Sequence, residues 1–215
     1  HHLPLDYPRL AEQSNNGADV EVRASKAILT GLKALALRHN MTLFMVIHGV
    51  LTVLLSRHSG SSNIVLGTPM ANRLQQELEP LVGFFVNTLV LHSNTAGNPS
   101  FNDYLKQIRQ VNLDAQSHQD MPFEYLVDAL NPERSLAYTP IFQMMFSLDT
   151  DEGESADNEL PGVTLTPLYS DEVSAKFELS VAVTAKANGL NIGFNYNRDL
   201  FAPNTIQRLA DHFVR

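Results

Sequence analysis

The chain has 215 residues, 44% of them hydrophobic, enough to bury the core of one large domain or of one lobe of a larger one. A formal charge of −8 repels phosphate backbones and argues against a nucleic-acid partner. The absence of cysteine excludes a disulfide framework, a zinc-thiolate site and a cysteine nucleophile, and fits a reducing cytoplasm.

Residues 1–17 are polar, proline-bearing and aperiodic, and read as an incoming linker. Ser25 opens a helix to about His39, with Ile28, Leu29, Leu32, Leu35 and Ala36 at helical spacing. Thr42 is placed to cap a second helix, about Leu43 to Arg57, that is apolar nearly all round. The apolar stretch Met41 to Arg57 is interrupted by Thr42, His48, Gly49, Thr52 and Ser56. It is shorter than the ~20 residues of a membrane span, so it reads as a core helix and no membrane partner is expected. Asn63 to Thr68 reads as a short buried strand, Pro69 to Leu81 as a polar loop with room for one helical turn, and Val82 to Leu91 as a strand covered on both faces.

Ser100 and Asp103 form a helix-start pair ahead of Tyr104, Leu105, Ile108, Val111 and Leu113, in a helix ending near His118. Pro122 starts another, carrying Tyr125, Leu126, Val127 and Leu130. Ile141 to Leu148 is a strand, Asp149 to Glu159 an acidic loop and Val163 to Tyr169 a further strand. Phe177, Leu179, Val181 and Val183 alternate with polar residues. Asn188-Gly189 follows, and then Ile192, Phe194 and Tyr196 alternate again, a strong hairpin signal. Pro203 opens a last helix with Ile206, Leu209 and Phe213 on one face. The order of elements predicts an α/β fold with a mixed, largely antiparallel sheet packed by helices, without doubly wound alternation.

Three segments carry chemistry-bearing residues. His1-His2-Leu3-Pro4-Leu5-Asp6 fits the HHxxxD acyltransferase signature, in which a histidine serves as general base. The catalytic reading is rejected because Tyr7 and Pro8 stand where that signature continues with glycine, and Pro4 interrupts it. No residue of the chain is therefore assigned as catalytic. His118-Gln119-Asp120-Met121-Pro122-Phe123-Glu124 brings a histidine near two carboxylates. No second histidine stands at metal-ligand spacing, and the residues favour a helix junction with Asp120 as cap and Glu124 in the first turn. In Gly83-Phe84-Phe85-Val86-Asn87-Thr88, Gly83 allows a close backbone approach, and Asn87 and Thr88 require polar partners in an apolar run. No phosphate-binding glycine loop and no GxSxG elbow is present.

Taken together, these pieces resemble the second half of a nonribosomal peptide synthetase condensation domain. Leu3 to Arg9 is similar to that family's inter-lobe Leu-Pro-x-Asp-x-Pro-Arg segment. Leu66 to Arg73 with Glu77-Leu78-Glu79 resembles its floor-loop region. Val82 to Thr88 matches (I/V)GxFVNT and His118 to Glu124 matches HQDxPFE. Pro132 to Leu136, including Arg134, with Pro140 to Gln143 resembles the last family motif.

The resemblance implies a chloramphenicol-acetyltransferase-like lobe over residues 18–215, preceded by an inter-lobe linker at 1–17. It implies peptide-bond formation between aminoacyl or peptidyl thioesters, with phosphopantetheine carried by partner domains and no cofactor bound directly. The implied partners are the N-terminal lobe bearing HHxxxDG, upstream and downstream carrier domains and an adjacent adenylation domain. Gly83, Phe85, Asn87 and Thr88 are then expected to line the substrate tunnel, with His118, Gln119, Asp120, Pro122, Glu124 and Arg134 as structural motif residues. The fragment alone is expected to be inactive and to self-associate through the face its first lobe would cover. A non-catalytic carrier-docking module, or a lobe of a related epimerisation or heterocyclisation domain, is the alternative.

Overall fold

Ser25 and Thr42 each precede an apolar-periodic run, and each satisfies a free amide at a helix start. In the computed structural model, which describes residues 3–73, 75–150 and 173–215, Ser25 accepts from the Ile28 N–H and opens α1 (Lys26–Arg38). Thr42 accepts from the Met45 N–H and opens α2 (Leu43–Ser59). α2 is apolar on most sides because it has neighbours on most sides: α1, α3 (Phe101–Ser117), α5 (Pro203–Val214) and the sheet. Ser100 caps α3 through the Asp103 N–H, and α5 begins at Pro203, where a missing N–H costs nothing.

The sheet contains β1 (Gly17–Ser25), β2 (Asn63–Met70), β3 (Asn87–Asn94), β4 (Met144–Thr150), β5 (Leu179–Lys186) and β6 (Gly189–Asn197), in the order β1-β6-β5-β4-β2-β3. β1–β6, β5–β6 and β2–β3 are antiparallel, while β4 runs parallel to both β5 and β2. The expected mixed sheet is the observed one. Its main core joins Val181 and Val183 of β5, Phe194 and Tyr196 of β6, Leu51 and Leu55 of α2, and Ile206 and Leu209 of α5. Burying each such side chain contributes about 1.5–3 kcal/mol.

The hairpin forms as expected, with Lys186 opposite Gly189. Gly189 adopts φ +143, and a Cβ there would lie 2.1 Å from the Ala24 carbonyl of β1, so only glycine fits between the strands.

Four expectations change. β1 was not anticipated, although Ala18, Val20, Val22 and Ala24 alternate; as an edge strand it turns Asp19, Glu21 and Arg23 to solvent. The expected strand Val82 to Leu91 begins only at Asn87, because β2 ends at Met70 opposite Asn87 and offers no ladder to residues 82–86. Nor is β3 covered on both faces: Leu89, Leu91 and Ser93 are buried while His92 and Asn94 are exposed. β4 begins at Met144 rather than Ile141, because Ile141 takes φ +68 at the centre of a γ-turn in which the Phe142 N–H donates to the Pro140 carbonyl at 2.8 Å.

Residues 3–16 form no helix or strand but are tied to the rest of the chain. Leu3 is buried, and Arg9 makes a two-pronged ion pair with buried Glu178. The expected strand Val163 to Tyr169, the acidic stretch beyond Thr150, and His1 and His2 lie outside the described residues.

Candidate functional site

The two segments singled out by their polar residues meet at one side chain. Asn87, at the start of β3, reaches the turn between α3 and α4 (Phe123–Leu130). Its Nδ2 donates to the carbonyls of Gln119 and Met121, each at 2.9 Å, and its Oδ1 accepts from the Phe123 N–H at 3.2 Å. Both amide donors are thus used on backbone acceptors, and the side chain serves as the cap that α4 lacks in its own sequence.

This arrangement corrects one expectation. Asp120 does not cap α4; Pro122 is the N-cap residue, without a side-chain cap bond, and Asn87 takes the capping role from a distant strand. Glu124 lies in the first turn as expected. His118 closes α3, where its Nδ1 lies 2.9 Å from the Asp114 carbonyl. Arg134 is exposed and pairs with Asp128 at 3.3 Å. Thr88 lies opposite Pro69 in the β2–β3 ladder.

The loop before Asn87 is closed by Arg73. Its guanidinium donates to the carbonyls of Leu78, Glu79 (3.2 Å) and Leu81 (2.8 Å) and lies 4.3 Å from the centre of the Phe85 ring. Phe85 is half-buried, whereas Val82 and Phe84 are 104% and 96% exposed. A cleft of about 550 Å³ opens beside this loop between Val86, Met70, Leu89, Phe44 and the end of β4 at Leu148.

Behind the junction the packing is aromatic. The γ-turn at Ile141 aims Phe142 at Gly67, where a Cβ would sit 2.3 Å from the ring. Phe142 also meets Phe123 at 5.5 Å and Phe177 at 5.6 Å between ring centres. Gly67 is therefore glycine because the Phe142 ring occupies the space above it.

A buried polar network underlies the site. His48, fully buried in α2, lies 2.9 Å through Nδ1 from the Asn112 Nδ2 and 3.5 Å through Nε2 from the Ser93 Oγ. Since Asn112 donates, Nδ1 accepts and the imidazole is neutral with its proton on Nε2. Burial pushes its pKa down to about 3. Thr52 and Tyr104 share a hydrogen bond of 2.7 Å alongside. With both nitrogens engaged and no solvent access, His48 is a packing residue. The sequence reading passed over this network, although Asn112 falls four residues after Ile108 on the apolar face of α3.

Asp6 is also structural. Its carboxylate accepts from the Ala202 N–H at 2.8 Å and from the Thr205 hydroxyl at 3.0 Å, capping α5. Among the described residues no group of three or more His, Cys, Asp or Glu side chains is placed to hold a metal, and no single helix is long and apolar enough to cross a membrane.

The profile of the Condensation domain family matches residues 1–215. The chain belongs to the condensation domain family. It is 42% identical over 213 residues to one of the linear gramicidin synthase proteins of Brevibacillus parabrevis, covering 98% of this chain and 4% of that protein. It is 42% identical over 214 residues to tyrocidine synthase 3 of the same organism, covering 100% of this chain and 3% of that one. The chain thus spans a small fraction of the curated relatives it matches. Among solved structures it resembles a four-domain nonribosomal peptide synthetase bound to AMP and glycine, at a TM-score of 0.88 and 26% identity over 100% of this chain and 17% of that one. The X-domain from teicoplanin biosynthesis shares the fold at a TM-score of 0.89 and 23% identity, over 100% of this chain and 49% of that one.

The observed sheet and helices are accordingly the chloramphenicol-acetyltransferase-like fold of condensation domains. In this condensation-domain chain the GxFVNT and HQDxPFE segments are joined through the Asn87 carboxamide.

Proposed function

We propose that the chain is the C-terminal lobe of a condensation domain that forms peptide bonds between carrier-bound thioesters, and that its role is positioning rather than proton transfer. In that reaction the acceptor amine on one phosphopantetheine arm attacks the thioester carbonyl on the other. The new C–N bond forms, the C–S bond breaks, and the amine proton passes to the departing thiol. The general base belongs to the N-terminal lobe with its HHxxxDG motif, and the carrier domains and an adenylation domain are the remaining partners.

One observation carries this reading: the residues on either side of the Asn87 junction are apolar and exposed, Val82, Phe84 and Val86 before it, Met121 and Tyr125 beyond it. Exposed apolar groups at family motifs mark a surface that another body covers, and the N-terminal lobe is that body. Gly83, Phe85, Asn87 and Thr88 then lie along the tunnel wall. Asn87 acts there by holding the 119–123 turn, while His118, Gln119, Asp120, Pro122, Glu124 and Arg134 maintain the helix junction. In the absence of the first lobe, this face drives self-association. Synthesis of a peptide antibiotic is the setting that the gramicidin and tyrocidine synthases support, and the cytoplasm is its proposed location.

The chain incubated with loaded donor and acceptor carriers should give no dipeptide above the protein-free background. Robust product that survives His2→Ala would overturn the assignment of the base to another lobe. Product that is lost with His2→Ala would restore His2 as the base.

A further inference from the structure

We propose that Arg73 is a positioning residue for condensation: it staples residues 76–86 into one shape and so sets the position of the apolar pair Val82 and Phe84. The inference rests on the condensation reading above and names a residue that the reading itself does not use.

The loop has little regular structure to hold it. A single 3-10 turn, Gln76–Leu78, is followed by isolated turns in which the N–H groups of Glu79 and Leu81 donate to the carbonyls of Gln76 and Leu78. Among the described residues, the carbonyls of Glu79 and Leu81 receive their hydrogen bonds from Arg73. The guanidinium reaches the Leu78 carbonyl as well, and its Cζ lies over the Phe85 ring, 4.3 Å from the ring centre. One side chain therefore links the loop's entry, its middle and its exit. Only arginine offers in-plane donors to several carbonyls and a stacking face together; a lysine ammonium is a point charge without the fork or the plane.

Phe85 completes the closure. It stands over Gly83, where a Cβ would lie 3.0 Å from the ring, so the stacked ring and the glycine fix the turn that leaves Val82 and Phe84 outward. Two almost fully exposed apolar side chains gain nothing from this lobe's own core. Their orientation follows from the staple.

Without the fork, the held shape becomes one of several, and turnover falls with its population. The test is Arg73→Ala and Arg73→Lys in the complete two-lobed domain of the parent protein, followed by hydrogen exchange and by steady-state dipeptide formation from loaded carriers. Arg73→Ala should speed amide exchange in residues 76–86 about tenfold or more while leaving β5 and β6 unchanged. It should lower kcat about tenfold, with KM for the loaded acceptor carrier within about twofold. Methylguanidinium should restore part of both, and Arg73→Lys should fall between wild type and Arg73→Ala.

Unchanged exchange in residues 76–86, faster exchange throughout the sheet, or unchanged kcat would each overturn the proposal. Wild-type protein that makes no dipeptide would refute the condensation reading instead, and the exchange result would still decide whether Arg73 orders the loop.

Discussion

The β5–β6 hairpin and the segment from Ala71 to Val86 both carry an apolar run, yet they are built in opposite ways. In the hairpin, Leu179, Val181, Val183, Ile192, Phe194 and Tyr196 point into one core, and backbone ladders on both sides of β6 fix the register. Among the described residues of the loop segment no ladder exists. The shape depends on side-chain bonds to backbone, from Arg73 within the loop and from Asn87 at its end, and Val82 and Phe84 face outward. Apolar burial dominates the first region's stability, while a few polar side chains determine the geometry of the second. Under the proposed reading, this segment leaves its apolar groups unburied because another lobe covers them.

Core truncation should produce the largest stability difference between the two regions. Phe194 is fully buried and meets Phe213 edge-on, so Phe194→Ala should destabilise by about 3–5 kcal/mol in urea unfolding. A loss below about 1 kcal/mol would mean that the hairpin is not the stability centre.

The buried histidine of α2 gives a pH signature. His48 is held neutral, with its pKa lowered from 6.5 to about 3. Between these values the unfolded chain binds the proton and the folded chain does not, so this contribution to stability is present above pH 6.5 and is lost as pH falls towards 3. The slope should approach about 1.4 kcal/mol per pH unit, or about 2 kcal/mol lost by pH 5. His48→Gln should remove that part of the dependence in urea melts at stepped pH; an unaltered slope would show that His48 is not its source.

Asn87→Ala comes next, at about 1–1.5 kcal/mol, because the Gln119 and Met121 carbonyls regain water while the α4 start loses its cap. The comparison requires the effect to be local. Amide exchange in residues 118–124 should accelerate while that of β5 and β6 holds. Loss of stability spread evenly over both regions would contradict the division. Smallest of all, Phe84→Ser should change the stability of this chain by no more than about 0.5 kcal/mol, since the ring buries almost nothing here. It should nonetheless weaken self-association measured by sedimentation.

The same contrast explains what could be read from the sequence. Ser25, Thr42 and Ser100 disclosed their helices because capping is local chemistry, and the β5–β6 alternation disclosed its hairpin because burial there repeats every second residue. Val82 to Val86 carry the apolar character of a buried strand, but the deciding fact is that β2 stops at Met70. Asp120 is the nearest capping residue in sequence, whereas the cap is Asn87, 36 residues before Phe123. Ile141 interrupts a strand-like run through a positive φ that a β-branched residue rarely adopts, in a turn that sets Phe142 against Gly67. His48, Asn112 and Ser93 belong to three separate elements, and their pairing exists only in the folded chain.

The most direct test of the central claim is complementation. This chain and an N-terminal condensation-domain lobe bearing HHxxxDG would be assayed separately and mixed, with loaded donor and acceptor carriers, and dipeptide measured over time. The account predicts product only when both lobes are present, rising to saturation with the concentration of this chain. Product from this chain alone, or none from the two lobes in a confirmed complex, would contradict it.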